Sequence, residues 1–335
     1  ISAPAATKVG LDIAGKIYTM TKDENGVWTG TSAPQDPGFH YYQLNIDGAS
    51  VPDPTSLYYY GASRWGSGIE VPSDDQDFWQ VKNVPQGSMG EVYYYSTYTE
   101  KMRRCFVYLP NEYFTNPTKK FPVLYLQHGM GENEYSWPYQ GHVASIMDNL
   151  IAEKKAVPFI VVMDNGLNAN APRPAGQAPQ GGQRPQGGFG GFGGFGGGFA
   201  DGFKNVLFND IIPMIEKNYR VIADPEHRAY SGLSMGGMQA REITLANPGK
   251  FAYVGSFSSG AWSVDQVKNS EGFAQKTKLL FMSGGGKENM GCVEAAKKIK
   301  EQLGMNAVGY ESEGTAHEFH TWRRSLHEFA QLLFK

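Results

Sequence analysis

The stretch YSGLSMGGMQ, residues 230–239, decides the fold of this chain. Ser234 stands there between Gly232 and Gly236, in the pattern Gly-x-Ser-x-Gly that is typical of a sharp turn from a strand into a helix. Glycines on both sides of the serine let the chain pass tightly, so the serine hydroxyl projects away from the backbone. The alternative is a serine in a purely structural glycine turn.

The flanking sequence favours a catalytic serine. HRAY, before the motif, has the character of a short strand, and the residues after Ser234 have the spacing of a helix of roughly twelve residues that ends at Asn247-Pro248-Gly249. A helix that begins just after the serine also offers free backbone N–H groups to a developing negative charge. We therefore predict that Ser234 is a nucleophile and that the Met235 amide is one oxyanion donor.

A second oxyanion donor is predicted in YLQHGMGENEYSW, residues 125–137. A strand ends there at Gln127, and Gly129 lets the following chain aim an N–H into a site, so we predict the Met130 amide as this donor. His128 precedes the nucleophile, whereas hydrolases of this architecture order the triad as serine, acid and histidine. A structural role is therefore expected for His128.

The general base is expected in ESEGTAHEFHTWRRSLHEF, residues 311–329. We predict His317, because it falls in the loop after the strand-like run AVGYES, whereas His320 begins the final helix. The acid that orients the imidazole is predicted to be Glu288, the first carboxylate beyond the strand in KLLFMSGGGKENMGC. Asp265, one strand earlier, is the alternative.

The pattern of residues changes along the chain. Residues 1–74 carry short, aromatic-rich, alternating segments between turn signals and predict a small antiparallel β-sandwich, and 75–90 are interpreted as a linker. In residues 91–335, apolar strand-like runs alternate with helical stretches, which predicts a mostly parallel sheet flanked by helices. Phe-Gly-Gly repeats at 175–202 predict a mobile insertion, either a flap over the site or an uninvolved loop.

Composition argues against several classes of function. The 335 residues carry a net charge of −3 with scattered lysines and arginines, so no basic surface for nucleic acid is expected. No apolar run approaches the roughly 18 residues that span a bilayer. Cys105 and Cys292 do not have metal-site spacing, and neither a metal nor an organic cofactor is expected. The chain begins at Ile1, and we expect a secreted or periplasmic protein whose signal peptide has been removed.

Four segments carry a resemblance to a known family: LQHGMGENE, GLSMGGMQA, LLFMSGGGKEN and GTAHEFHTWRRSL. Together they resemble the esterase-D-like α/β-hydrolases, in particular bacterial feruloyl and acetylxylan esterases of carbohydrate esterase family one. The resemblance implies an α/β-hydrolase catalytic domain with its nucleophile at Ser234 and its histidine at His317. The family's acid is usually an aspartate, where this chain has Glu288. Residues 18–48 resemble early-set, immunoglobulin-like modules related to glycogen-binding domains, which often bind sugars.

These observations predict a serine carboxylesterase that releases ferulic acid from feruloylated arabinoxylan or xylo-oligosaccharides. Because a planar acyl ring needs apolar and aromatic walls, Trp262, Trp137 and Phe195 are predicted to line its pocket. The enzymatic alternatives are an acetylxylan esterase and a siderophore-lactone esterase of the enterobactin type. The non-enzymatic alternative is a binding scaffold whose catalytic triad is inactive.

Overall fold

The computed structural model describes residues 1–167 and 199–335. Phe195 and residues 175–198 of the predicted insertion lie outside the described residues. The prediction was wrong at the end of the insertion, because the chain is already helical from Phe199 to Val206 rather than irregular to residue 202.

The N-terminal part is built from antiparallel strands, as predicted. Its described strands are β1 (Val9–Ile13), β2 (Lys16–Thr19), β3 (Thr21–Lys22), β4 (Trp28–Thr29), β5 (Gly38–Ile46), β6 (Ala49–Val51), β7 (Tyr58–Gly61) and β8 (Arg64–Val71). One sheet has the order β2-β1-β5-β8-β7 with β6 beside β5, and β3 pairs with β4. Trp28 of β4 is buried against Val9 of β1, so the two sheets pack on one another.

The rest of the chain forms a mostly parallel sheet, which confirms the predicted class. Its strands are β9 (Ser88–Ser96), β10 (Lys101–Leu109), β11 (Val123–Gln127), β12 (Ile160–Asp164), β13 (Arg228–Leu233), β14 (Tyr253–Phe257), β15 (Leu279–Gly285) and β16 (Ala307–Ser312). They are ordered β16-β15-β14-β13-β11-β12-β10-β9. β10 runs antiparallel to β9 and β12, and the other neighbours are parallel.

Helices accompany this sheet. They are α1 (Asn111–Thr115), α2 (Ser136–Tyr139), α3 (Val143–Ala152), α4 (Phe199–Val206), α5 (Ile212–Asn218), α6 (Met235–Ala246), α7 (Val264–Lys268), α8 (Phe273–Lys276), α9 (Cys292–Leu303) and α10 (Phe319–Ala330). A π-helical stretch, Leu207–Ile211, joins α4 to α5, and short 3₁₀ helices occupy Gln76–Phe78, Pro225–His227 and Gly286–Glu288. No helix in the described part of the chain is long and apolar enough to cross a membrane.

Both faces of the central strands of the large sheet, β11 to β15, are buried. In β11, Val123 and Tyr125 belong to one apolar cluster, while Leu124 and Leu126 belong to another. Successive side chains of a strand point to opposite faces, so an unbroken apolar strand needs cover on both sides. Because parallel strands all end at the same edge of a sheet, the loops after β13, β14, β15 and β16 meet at that edge. Open α/β sheets bind ligands there.

A buried ion pair joins the N-terminal part to the large sheet's helices. The side chain of Arg323, on α10, is fully buried and donates two hydrogen bonds to Glu70 of β8, at 2.7 and 2.9 Å. Its Nε donates to the Gln140 carbonyl at 2.7 Å, and its guanidinium lies 4.5 Å from the centre of the Trp79 ring. Because a buried charge needs such partners, this contact fixes how β8 lies on α10.

We expect Glu70→Gln to lower the free energy of unfolding, because it leaves the Arg323 guanidinium buried without its counter-charge. Losing one partner of a buried pair typically costs 3–5 kcal/mol, and since Glu70 is partly exposed we expect about 2–4 kcal/mol. Urea unfolding followed by tryptophan fluorescence measures the change. Glu24→Gln, at an exposed position, is the matched control. Equal unfolding midpoints for the two variants would contradict the assigned role of the pair.

Candidate active site

Ser234 occupies a tight turn between β13 and α6. Its backbone angles are φ 50° and ψ −115°, and its amide donates to the Phe257 carbonyl at 2.7 Å. Residues with side chains rarely adopt a positive φ, so the surrounding packing must hold this conformation. A Cβ on Gly232 would lie 2.5 Å from the Gly236 carbonyl carbon, and one on Gly236 would lie 2.6 Å from the His128 oxygen. Close backbone approach therefore requires both glycines of the motif.

A chain of hydrogen bonds runs from Ser234 to Glu288. The Ser234 hydroxyl lies 3.0 Å from Nε2 of His317, and Nδ1 of His317 lies 2.7 Å from Oε1 of Glu288. His317 comes from the loop between β16 and α10, and Glu288 from the 3₁₀ helix after β15. With its proton on Nδ1, the imidazole donates to the carboxylate and presents Nε2 to the serine hydroxyl. The arrangement can therefore remove the serine proton and stabilise the imidazolium that results.

Glu288 is held as a carboxylate by its hydrogen-bond donors. Its Oε2 accepts from the Ser258 hydroxyl at 2.6 Å and from the Gly285 amide at 2.7 Å. Burial acts to raise the pKa of Glu288, but the hydrogen bonds from His317, Ser258 and Gly285 outweigh it, and the pKa lies below its usual value. The carboxylate therefore stays charged beside the imidazole, which is the state that stabilises a protonated histidine.

Two backbone amides near Ser234 have no acceptor in the described part of the chain. The N–H of Met235 is the first of α6, and the N–H of Met130 follows Gly129 in the loop after β11. Within residues 1–167 and 199–335, neither amide donates a hydrogen bond. Gly129, Met130 and Ser234 line one cavity. An unpaired N–H at a helix start, next to a nucleophile, suits an oxygen that gains negative charge.

Glu132 lies buried beneath the same loop. Its Oε2 accepts a hydrogen bond from the Gly129 amide at 3.0 Å. A Cβ placed on Gly129 would lie 3.4 Å from this oxygen and 3.4 Å from the Ser234 Cβ. The residue is 7% exposed, and burial raises the pKa of Glu132 to about 7, although the Gly129 hydrogen bond opposes the shift. No local sequence pattern distinguishes Glu132 from the other carboxylates of the chain.

The alternative acids and bases lie elsewhere. His128 is buried, and burial lowers its pKa to about 4; its Nδ1 donates to the Gly129 carbonyl and its Nε2 accepts from the Gly166 amide, so it holds two loops together. His320 pairs with Asp75 at 3.0 Å. Asp265 is exposed on α7. None of these three residues contacts Ser234 or His317 among the described hydrogen bonds.

Two of the predicted substrate contacts were wrong. Trp262 and Trp137 are each 1% exposed. The Trp262 indole donates to the Ser256 hydroxyl at 2.9 Å, and the Trp137 indole donates to the Gln127 carbonyl at 2.9 Å. Both rings follow strands at the edge that carries the site, as expected, but they turn into the core and their polar atoms are already bonded there.

Two cavities meet at Ser234 and His317. The first, here called cavity A, has a volume of about 740 Å³ and lies between α6 and the loops after β14 and β15. Besides Ser234, His317 and Glu288, it is lined by Met238, Arg241, Ser258, Ser259, Gly260 and Met290. Among the described residues, the lining is therefore apolar at Met238 and Met290 and carries one guanidinium, that of Arg241.

The second cavity, here called cavity B, has a volume of about 490 Å³ and is shared with the N-terminal part. Phe39, His40, Tyr41 and Ala62 line it together with Met130, Glu132, Phe319 and Trp322. An ester has an acyl side and an alcohol side, and the cleft offers one cavity for each. No local pattern indicates that residues near position 40 reach the site. Met238 and Arg241, by contrast, lie four and seven residues after Ser234 on one helix, and this spacing could have identified them.

Comparison with known proteins identifies the family. The model of the Esterase family matches residues 96–332, and the chain belongs to this family. The chain is 43% identical over 343 residues to an endo-1,4-beta-xylanase/feruloyl esterase of Xylanibacter ruminicola, in a match that covers all of this chain and 44% of that protein. This chain therefore spans less than half the length of that relative.

Solved structures share the fold. A ferulic acid esterase of Anaeromyces mucronatus is 22% identical, with a TM-score of 0.59 over 77% of this chain and 95% of that one. An enterobactin esterase of Shigella flexneri is 15% identical, with a TM-score of 0.64 over 98% of this chain and 88% of that one. These likenesses confirm the α/β-hydrolase fold class, and at such identities they show the fold alone.

We expect Glu288→Gln to lower kcat for p-nitrophenyl acetate by about 10³–10⁴-fold, because an amide cannot stabilise the imidazolium or fix the Nδ1 proton in the same way. Asp265→Asn removes the other candidate acid and is the matched control, with kcat expected to stay within about twofold of wild type. A large loss in the Asp265 variant and a small one in the Glu288 variant would reverse the assignment.

Glu132 makes a prediction about pH. Its pKa is about 7 in the folded chain and 4.5 without burial, so between these values the folded state binds more protons and stability falls as the pH rises. Glu132→Gln keeps an acceptor for the Gly129 amide but never ionises. We expect the free energy of unfolding of Glu132→Gln, taken relative to that of wild type, to increase by about 2–3 kcal/mol from pH 5 to pH 8.

Urea unfolding of both proteins at several pH values measures this difference. Glu301→Gln, at an exposed position on α9, is the control and should show no such trend. A stability difference between the Glu132 variant and wild type that does not change with pH would contradict the burial of a titrating carboxyl.

Proposed function

We propose that this chain is a serine carboxylesterase that releases ferulic or a related hydroxycinnamic acid from feruloylated xylan. The observation that carries the proposal is the continuous hydrogen-bond chain from the Ser234 hydroxyl through His317 to Glu288, beside two amides that have no acceptor among the described residues. A nucleophile, a base, an orienting acid and oxyanion donors are the groups that acyl transfer needs.

In the first half of the reaction the acyl group moves to Ser234. Nε2 of His317 takes the hydroxyl proton while the serine oxygen attacks the ester carbonyl carbon. The carbonyl oxygen gains negative charge and accepts from the Met130 and Met235 amides. When the tetrahedral intermediate collapses, the ester C–O bond breaks and His317 gives its proton to the leaving sugar oxygen.

In the second half water replaces the sugar. His317 removes a proton from the water, whose oxygen attacks the acyl-serine carbonyl, and the same two amides hold the oxyanion. Collapse breaks the bond to the serine oxygen, which regains its proton from His317. Glu288 keeps the imidazole oriented in both halves and does not itself transfer a proton.

Two observations support an aromatic acyl group. The Xylanibacter ruminicola relative, whose name includes feruloyl esterase, is similar to this chain along its whole length. Cavity A presents Met238 and Met290, and thioether sulfurs make favourable contacts with aromatic rings. An acetyl group would leave most of a space of about 740 Å³ unfilled.

We further infer that the N-terminal part takes the sugar side of the ester. Phe39 and Tyr41 contribute aromatic rings to the lining of cavity B, and His40 contributes a polar group, a combination that suits sugar rings. The resemblance to sugar-binding modules agrees with this role. Trp65 is half-exposed and packs against Tyr135, with ring centres 5.2 Å apart, so it also touches the catalytic part. Since xylan is a polymer outside the cell, the proposal includes a secreted or periplasmic location.

We expect methyl ferulate, or feruloylated arabinoxylan fragments, to be cleaved with a higher kcat/KM than acetylated xylan. Burial and stacking of a phenyl ring supply about 2–3 kcal/mol, which corresponds to discrimination on the order of a hundredfold if the contacts are made in the transition state. A side-by-side hydrolysis panel of methyl ferulate, acetylated xylan and a catecholate trilactone measures the preference.

Ser234→Ala is the control for this panel. It should retain the wild-type melting temperature and lose hydrolysis of all substrates, since it removes the nucleophile and little volume. Preference for acetylated xylan or for the trilactone would replace the proposed substrate with one of those two.

A further inference from the structure

Arg241 is a charged group of the active-site cleft to which the reaction assigns no role. It lines cavity A and is partly buried on α6. Among the described residues its guanidinium has neither a hydrogen-bond acceptor nor an ion-pair partner. Residues 168–198 contain no aspartate or glutamate, so that segment offers no side-chain carboxylate to it either. Burial lowers the pKa of Arg241 below its usual value, and neighbouring Glu242 opposes the shift.

The helix places Arg241 away from the reacting atoms. Ser234, Met238 and Arg241 are spaced so that they share one face of α6, and seven residues of helix correspond to about 10 Å along its axis. A Cβ on Gly260 would lie 4.0 Å from Nη1 of Arg241, so the guanidinium lies near Gly260, and both residues line cavity A.

A guanidinium in this position calls for an oxygen-bearing ligand. Its five N–H donors form a planar fork, and a partly desolvated charge without acceptors is unfavourable until a ligand supplies them. The oxyanion is served by the Met130 and Met235 amides beside Ser234, and Met130 lines cavity B rather than cavity A. Met238 lies between Ser234 and Arg241 along α6, so an acyl group that extends from Ser234 through cavity A past Met238 would reach Arg241.

We propose that Arg241 is a specificity-determining residue that donates hydrogen bonds to the oxygen substituents, hydroxyl or methoxy, on the far edge of an aromatic acyl ring. This inference rests on the proposed function, since it requires such a ring in cavity A. The ring lies between Met238 and Met290, and Met290 is itself held by the Gly260 amide, which lies 3.4 Å from its sulfur. Acyl groups with an unsubstituted ring gain the apolar contacts but not the hydrogen bonds.

The test compares two esters that differ only in the ring oxygens. For wild type and Arg241→Met, kcat/KM is measured with methyl ferulate and with methyl cinnamate, whose ring carries no oxygen. Because hydrogen bonds to charged groups are worth a factor of ten or more, we expect the variant to lose at least tenfold on methyl ferulate and to stay within about threefold on methyl cinnamate. Methionine preserves length and helix propensity, so the fold should be kept.

Two further variants make the result decisive. Lys297→Met removes one positive charge from an exposed position on α9 and should leave both esters unaffected. Arg241→Lys keeps the charge but loses the planar fork, and should retain part of the preference for methyl ferulate. If the melting curve shows that Arg241→Met does not fold, the test rests on Arg241→Lys alone. The quantity compared with wild type is then the ratio of kcat/KM for methyl ferulate to kcat/KM for methyl cinnamate.

Failure of this inference differs from failure of the proposed function. Equal loss on both esters, or no loss on either, would overturn the role of Arg241 while leaving a feruloyl esterase in place. A wild-type enzyme that cleaves p-nitrophenyl acetate but neither methyl ester would overturn the proposed function, and with it the role of Arg241.

Discussion

The positive φ angle of Ser234 is the constraint on which the rest of the site depends. Only this conformation turns β13 into α6 within one residue and leaves the serine side chain at the mouth of two cavities. Gly232 and Gly236 accommodate it because their backbones approach within van der Waals contact, and the Ser234 amide is anchored to β14. The same turn aligns the Met235 amide with the nucleophile, so the oxyanion donor and the attacking oxygen come from one piece of backbone. Local strain is thus maintained by the packing of the buried central strands β13 and β14.

The N-terminal part is joined to this site rather than attached at a distance. Arg323 and Glu70 form a buried pair across the boundary, and Gln140 donates to the Tyr41 hydroxyl at 2.8 Å. These contacts set Phe39 and Tyr41 in the wall of cavity B. A change in the docking of the N-terminal part would therefore alter the wall of cavity B while leaving the hydrogen-bond chain from Ser234 to Glu288 in place.

The parts of the site that follow from local sequence were predictable. The glycines around Ser234 dictate the turn, and strand ends followed by short loops put His317 and Glu288 at the same edge as Ser234. The direction of a side chain at that edge was not predictable: Trp137 and Trp262 are positioned as expected along the chain, but their indoles find acceptors in the core. The pairing of Glu70 with Arg323 joins residues 253 positions apart, and no local pattern reveals it. The helical spacing after Ser234 could have identified Arg241, but the absence of an acceptor for it within residues 1–167 and 199–335 is a property of the folded chain.

The central claim is that Ser234, activated by His317, forms a covalent acyl-enzyme. Reaction of the protein with a fluorophosphonate, which needs an activated serine and leaves a stable adduct, tests it most directly. Peptide mass spectrometry should locate a single adduct on Ser234, formed rapidly in the wild type and at least a hundredfold more slowly in His317→Ala. Labelling of another serine, or a rate on Ser234 that does not depend on His317, would contradict the account.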